Sequence, residues 1–191
     1  SDLVFIRSLA TRNHPGGLMD CLTPMVAILS ECGWDNILIE TVGAGQSEIR
    51  VVAFADRILL VDGPDRGDII QAEKAGIMEL ADLIVINKSD LPEAERAAEA
   101  VKSALSVAED EFTPEVLLVS AHSGMGVEEL IVQLENTTTS SERERLRVRE
   151  RLISAWDSAL LTSSKLDDIL QALEKGSITL LDAVDSIRKD G

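Results

Sequence analysis

Along the first two thirds of the chain, short runs that are apolar at every position alternate with longer stretches in which apolar residues recur at helical spacing. Ile37-Leu38-Ile39, Ile58-Leu59-Leu60-Val61, Leu83-Ile84-Val85-Ile86 and Val116-Leu117-Leu118-Val119 are runs of the first kind. Such a run suits a strand covered on both faces, as in a parallel sheet. The pattern predicts a strand near Leu3–Arg7, a helix near Leu18–Cys32, strand Ile37–Glu40 and a short helical stretch near Glu48–Ala53. Strand Ile58–Val61, helix Ile69–Leu80, strand Leu83–Ile86, helix Glu93–Ala108, strand Val116–Val119 and helix Val127–Leu134 follow. Repeated strand–helix units imply an α/β fold: a mainly parallel sheet with helices on both faces.

Asn136-Thr137-Thr138-Thr139-Ser140-Ser141 contains no apolar residue and reads as a linker. Beyond it, Leu146, Ile153, Trp156, Leu160 and Leu161 fit one helix, and Leu166, Ile169, Leu170 and Leu173 a second. Gly176 is placed to stop that second helix. Thr179 with Asp182 resembles a capping box for a third, with Leu181, Val184 and Ile187 inward. The Arg- and Glu-rich stretch Glu142–Arg151 reads most simply as a solvated helix face. Three short helices with narrow apolar stripes make a poor core of their own, so they must pack on the α/β domain or on another chain. The expected organisation is an α/β portion over 1–135, a linker over 136–141 and a helical arm over 142–191.

Composition changes this picture little. Few of the 191 residues are aromatic (three Phe, two Trp, no Tyr), which points to an aliphatic interior. A net charge of −16 argues against nucleic acid or an anionic membrane as partner. Apolar runs fall far short of a bilayer span, and the expected compartment is the cytoplasm. Cys21 and Cys32 have no metal-ligand spacing and read as reduced core thiols.

Two motifs carry chemistry. After Ile37-Leu38-Ile39 comes Glu40, then Thr41-Val42-Gly43-Ala44-Gly45. A carboxylate at a strand's end, followed by backbone free to approach a ligand closely, suits a magnesium–phosphate group. The second motif repeats the layout: Leu83-Ile84-Val85-Ile86 runs into Asn87-Lys88-Ser89-Asp90, which fits the NKxD guanine signature. Asp90 can accept hydrogen bonds from the guanine ring N–H and its exocyclic amine. Adenine offers neither, and a site built on such pairing rejects the wrong base by roughly 10⁴-fold or more. Asn87 would steady the loop or the base edge, and the Lys88 stem would cover the ring.

With these residues in place, the chain resembles the MeaB/ArgK group of P-loop GTPases. Matching segments include Val4–Ser8, Gly16-Gly17-Leu18, Ile39–Glu48, Gly67–Gly76, Glu79–Asp82 leading to Asn87–Asp90, and Leu173–Thr179. The resemblance implies a SIMIBI-class GTPase fold with GTP or GDP and Mg²⁺ as ligands. It also implies service as a chaperone to an adenosylcobalamin-dependent acyl-CoA mutase, and homodimerisation through the carboxyl-terminal helices. For a eukaryotic source the compartment would be the mitochondrial matrix.

The resemblance also assigns roles. Glu40 would bind Mg²⁺, directly or through water, with positioning of the attacking water as a further role. Gly43 would offer its N–H to the γ-phosphate within a second switch over 41–48, where Gln46 invites comparison with a water-orienting glutamine. Asp68, Gln71 and Lys74 lie about 60° apart in turn around a helix. They match a mobile third switch in which Lys74 brings positive charge to the transferred phosphoryl group. Ser120-Ala121 matches the short motif that contacts guanine through backbone N–H groups.

One departure stands against these matches: no GxxGxGKS-type phosphate loop occurs in the sequence. The chain is therefore expected to be the carboxyl-terminal portion of a GTPase, defective by itself. Two other readings stand beside that one: a non-catalytic dimerising module, and a kinase tied to amino-acid transport. The kinase reading lacks a recognisable phosphoacceptor and fits poorly with a guanine-selecting Asp90.

Overall fold

The computed structural model describes residues 4–9, 19–41, 54–64, 77–78, 80–107 and 113–188. The regular elements among them are α1 (Met19–Glu31), β1 (Leu59–Asp62), β2 (Leu83–Ile86), α2 (Ala94–Val107), β3 (Glu115–Leu118) and α3 (Val127–Asn136). They continue with α4 (Ser141–Leu161), α5 (Leu166–Glu174) and α6 (Leu180–Arg188). The chain divides into two compact units, Ile39–Glu150 and Ser1–Leu38 together with Arg151–Gly191.

In the first unit the three strands form a parallel sheet in the order β1-β2-β3, with Leu59 opposite Leu83 and Leu83 opposite Glu115. The central strand β2 is buried at all four positions, as its unbroken apolar run requires. Its alternate residues serve opposite faces. Ile84 and Ile86 join Ala94, Ala97, Ala98, Val101 and Leu105, the apolar stripe of α2. Val85 joins Leu117 and Val119, against which Val127 and Leu130 of α3 pack. Helices thus cover both faces of this α/β sheet.

Several expectations change. Neither Leu3–Arg7 nor Ile37–Glu40 is a strand over its described residues, and Leu38 is 89% exposed. An apolar run becomes a buried strand only where neighbours take its N–H and C=O groups, and no described strand pairs with either segment. The stretch 48–53 and all but the end of 69–80 lie outside the described residues. Cys32 is exposed, not a core thiol, because it follows the end of α1.

The polar stretch read as a linker is tied down. Arg57 donates to the carbonyls of Glu135 (3.1 Å) and Thr137 (3.2 Å). Thr139 Oγ1 donates to Asp82 Oδ1 at 3.2 Å. Nor is Glu142–Arg151 a wholly solvated face: Arg143 and Arg147 are buried, and Arg147 pairs with Asp82 at 2.5 Å.

In the second unit, the end of α5 is closed as expected. Gly176 has φ +65°, its N–H reaches Leu173 O (3.0 Å), and Ser177 N–H reaches Ala172 O (3.0 Å). α6 opens on the expected box: Thr179 N–H donates to Asp182 Oδ2 (2.9 Å) and Asp182 N–H to Thr179 Oγ1 (3.2 Å). The Thr179 hydroxyl, then its N–H, hold the Asp182 carboxyl below its ordinary range. The inward assignment fails for two residues, since Leu181 and Val184 are exposed while Ala183 is buried. Trp156 is exposed as well.

Candidate functional site

Open parallel sheets present ligands at the carboxyl ends of their strands, and two loops meet there. The first follows β2. Asn87 leaves the sheet with its N–H on Asp62 O (2.7 Å), so the last residue of β1 seats the first residue of the loop. Lys88 then takes φ +59°, a left-handed conformation that non-glycine residues rarely adopt. Two contacts hold that turn closed: Lys88 N–H on Asn87 Oδ1 (2.8 Å) and Leu91 N–H on Lys88 O (2.9 Å). Backbone strain held by surrounding bonds is a common mark of a ligand loop.

The second loop, 119–126, follows β3. Val119 N–H continues the sheet to Ile86 O (3.0 Å), while Ser89 N–H donates back to Val119 O (3.1 Å). Side chains lace the two loops further. Ser120 Oγ donates to Asp90 Oδ1 at 2.5 Å, and Ala121 N–H donates to Asn87 Oδ1 at 3.1 Å. Asn87, Lys88, Asp90, Ser120 and Ala121 thus stand together, as the sequence expected. Their bonding is richer than the motif implies. Ser120 N–H is directed to Met125 O (2.9 Å), and the residue acts through its hydroxyl. Asn87 steadies both loops at once.

Asp90 is exposed, with its carboxyl held below the ordinary 3.8; the Ser120 hydroxyl bond is the first cause, its own backbone N–H the next, and His122 and Lys88 add to them. A lowered folded-state value means the ionised form is favoured above the ordinary range and lost as pH falls through the lowered value. Asp90 therefore stays a hydrogen-bond acceptor throughout neutral and mildly acidic solution. In Ser120→Ala the acid limb of nucleotide binding should move to higher pH, read from titrations between pH 3.5 and 6. An unmoved limb would remove Ser120 from this role.

The loop's return depends on Gly126. Its φ is +75°, and a Cβ there would run into the carbonyl oxygen of Leu118. The obstacle is backbone in the sheet, which cannot turn aside. Gly126→Ala should destabilise the unit by roughly 1–3 kcal/mol, seen as a lower thermal midpoint; a wild-type midpoint would contradict the close approach. The sequence reading missed this glycine, although the GMG run at 124–126 signals a tight return.

The phosphate-side residues are less assembled. Glu40 is exposed and follows no strand. Gly43, Gln46, Asp68, Gln71 and Lys74 lie outside the described residues. Among the described residues no three His, Cys, Asp or Glu side chains gather as a metal site. Mg²⁺ bound with phosphates commonly takes only one or two protein carboxylates and keeps its waters, so a lone Glu40 fits that donor set. No helix among the described residues is long and apolar enough to cross a membrane.

Comparison with known proteins agrees with the loop chemistry. The family model described as methylmalonyl Co-A mutase-associated GTPase MeaB matches residues 1–183. A putative GTPase of Pyrococcus abyssi is 32% identical over 206 residues, covering 98% of this chain and 64% of that protein. A mouse protein named methylmalonic aciduria type A homolog, mitochondrial, is 38% identical over 132 residues, 66% of this chain and 32% of its own length. The crystal structure of a LAO/AO transport system kinase superposes with TM-score 0.56 at 25% identity, covering 86% of this chain and 60% of that one. The chain thus spans from about a third to just under two thirds of these proteins' lengths.

Proposed function

The chain belongs to the methylmalonyl-CoA mutase-associated GTPase MeaB family, and from that premise we propose that it is the base-recognising part of an enzyme that hydrolyses GTP to GDP and phosphate. One observation carries the reading: Asp90 is fixed at the carboxyl end of a buried parallel strand, held ionised by Ser120, with Asn87 tying its loop to Ala121. That carboxylate meets the donor pair of guanine and leaves adenine unpaired. Docking the base on Ala121 N–H would exchange its bond to Asn87 Oδ1 for one to the guanine carbonyl.

Hydrolysis needs a second grip at the phosphates. Glu40 would hold Mg²⁺ there, directly or through water; when bound, the ion neutralises charge on the β- and γ-oxygens. Gly43 would donate its N–H to the γ-phosphate, and Asp68, Gln71 and Lys74 would form the switch that brings positive charge to the transferred group. Lys74 in that role is worth what arginine fingers supply, roughly 10³–10⁵ in rate.

The partner we propose is an adenosylcobalamin-dependent acyl-CoA mutase whose cofactor loading or protection the nucleotide cycle gates; the family's printed name supports it. The helical arm would join two copies. Leu152 and Trp156, one turn apart on α4, and Leu180 and Leu181 on α6 are exposed apolar side chains suited to a second copy. The test is phosphate release by the protein as its gene encodes it. Release from GTP, dependent on Mg²⁺ and absent with ATP, is expected. Equal release from ATP would overturn the guanine assignment, and none from either would favour a non-catalytic dimerising module.

A further inference from the structure

Arg147 is fully buried although it belongs to a helix rich in solvated charges. Its Nη2 donates to Asp82 Oδ2 (2.5 Å) and to Leu80 O (2.9 Å), and its Nη1 to Asp56 O (3.0 Å) and Thr139 Oγ1 (3.0 Å). Leu80 ends the helical residues that include Ile77 and Met78. The last carbonyls of a helix have no donors within it, and that end is electrically negative. Ala81 N–H serves Ile77 O (3.0 Å), but the carbonyl of Leu80 is served by a guanidinium 67 residues away in sequence. Asp82 completes the joint: its carboxylate also accepts Ile58 N–H (2.8 Å), and its own N–H reaches Ile58 O (2.9 Å).

We propose that Arg147 is a positioning residue, a helix cap supplied from α4. The end of the helix at Leu80 and the entry into β2 hold only while the first turns of α4 are docked. Leu146, beside it, packs against the same apolar cluster as Met78 and Leu80, so apolar and ionic contacts reinforce one docking event. The consequence for catalysis rests on the function proposed above: Asp68, Gln71 and Lys74 stand in the sequence just ahead of this capped end. A partner that loads or shifts α4 would act on that segment through a single guanidinium.

Hydrogen exchange on the full chain tests the joint without nucleotide, so its failure is separate from failure of the guanine reading. In Arg147→Met the amides of Ala81 and Asp82 should exchange faster, by at least roughly tenfold beyond any change at Ala97 in α2 and at Val119, because the effect is local. Arg147→Lys, which keeps the charge with fewer directed donors, should fall between. Equal acceleration at all these amides, or none at Ala81 and Asp82, would reduce Arg147 to a general contributor to stability. If Arg147→Met does not fold, Arg147→Lys decides between the same two outcomes.

Discussion

Asp82→Ala is expected to destabilise the protein by about 3–5 kcal/mol, because it strands the buried guanidinium of Arg147. The loss is larger than a surface ion pair could explain. Arg147 and Asp82 are both removed from solvent and meet at 2.5 Å. Asp82 also answers Ile58 N–H and Thr139 Oγ1, so three donors lose an acceptor together. At about 2–4 °C per kcal/mol for a chain of this size, the thermal midpoint should drop by roughly 10 °C. Replacing both charges, as in Asp82→Leu with Arg147→Met, should recover part of the loss, since an apolar pair leaves no stranded charge. Chemical denaturation of the four proteins reads the cycle. A single-variant loss below about 1 kcal/mol would mean that the pair is solvated or dispensable.

The second large effect concerns specificity. In Asp90→Asn the side chain gains a donor where guanine also presents one, the exocyclic amine. Xanthine carries an oxygen at that position, which accepts from the asparagine amide while its ring N–H still donates to the asparagine carbonyl. GDP affinity should therefore fall by roughly 10²-fold or more, as expected when a bond to a charged group is lost and a donor is left facing a donor. Xanthosine diphosphate should become the better ligand. Competition binding of the two nucleotides measures both changes. An Asp90→Asn protein that still prefers GDP would show that this carboxylate does not read the base.

The parts of this protein that were legible in its sequence are those where local pattern and tertiary context agree. The unbroken apolar run at Leu83–Ile86 forecast the buried central strand, and the helical spacing of Ala94, Ala97, Ala98 and Val101 forecast its cover. Gly176 and the Thr179–Asp182 pair gave helix ends because capping chemistry is local. What the pattern could not supply was pairing. Ile37-Leu38-Ile39 is as apolar as β2, yet a strand exists only with a neighbour, and the sequence does not say which segments adjoin. The joint at Arg147 was hidden for a related reason. In a Glu- and Arg-rich stretch every arginine looks solvated until the fold brings a carboxylate 65 residues away beside one of them. At the candidate site the NKSD tetrad announced itself, whereas the hydroxyl of Ser120 as the group that fixes Asp90 needed coordinates.

The account's central claim is that the loops after β2 and β3 select guanine. An equilibrium titration of the chain with fluorescent GDP, challenged in turn by unlabelled GDP and ADP, addresses it most directly. Displacement by GDP, with ADP ineffective at a concentration about 100-fold higher, is the predicted result. Displacement by ADP as readily as by GDP would contradict it.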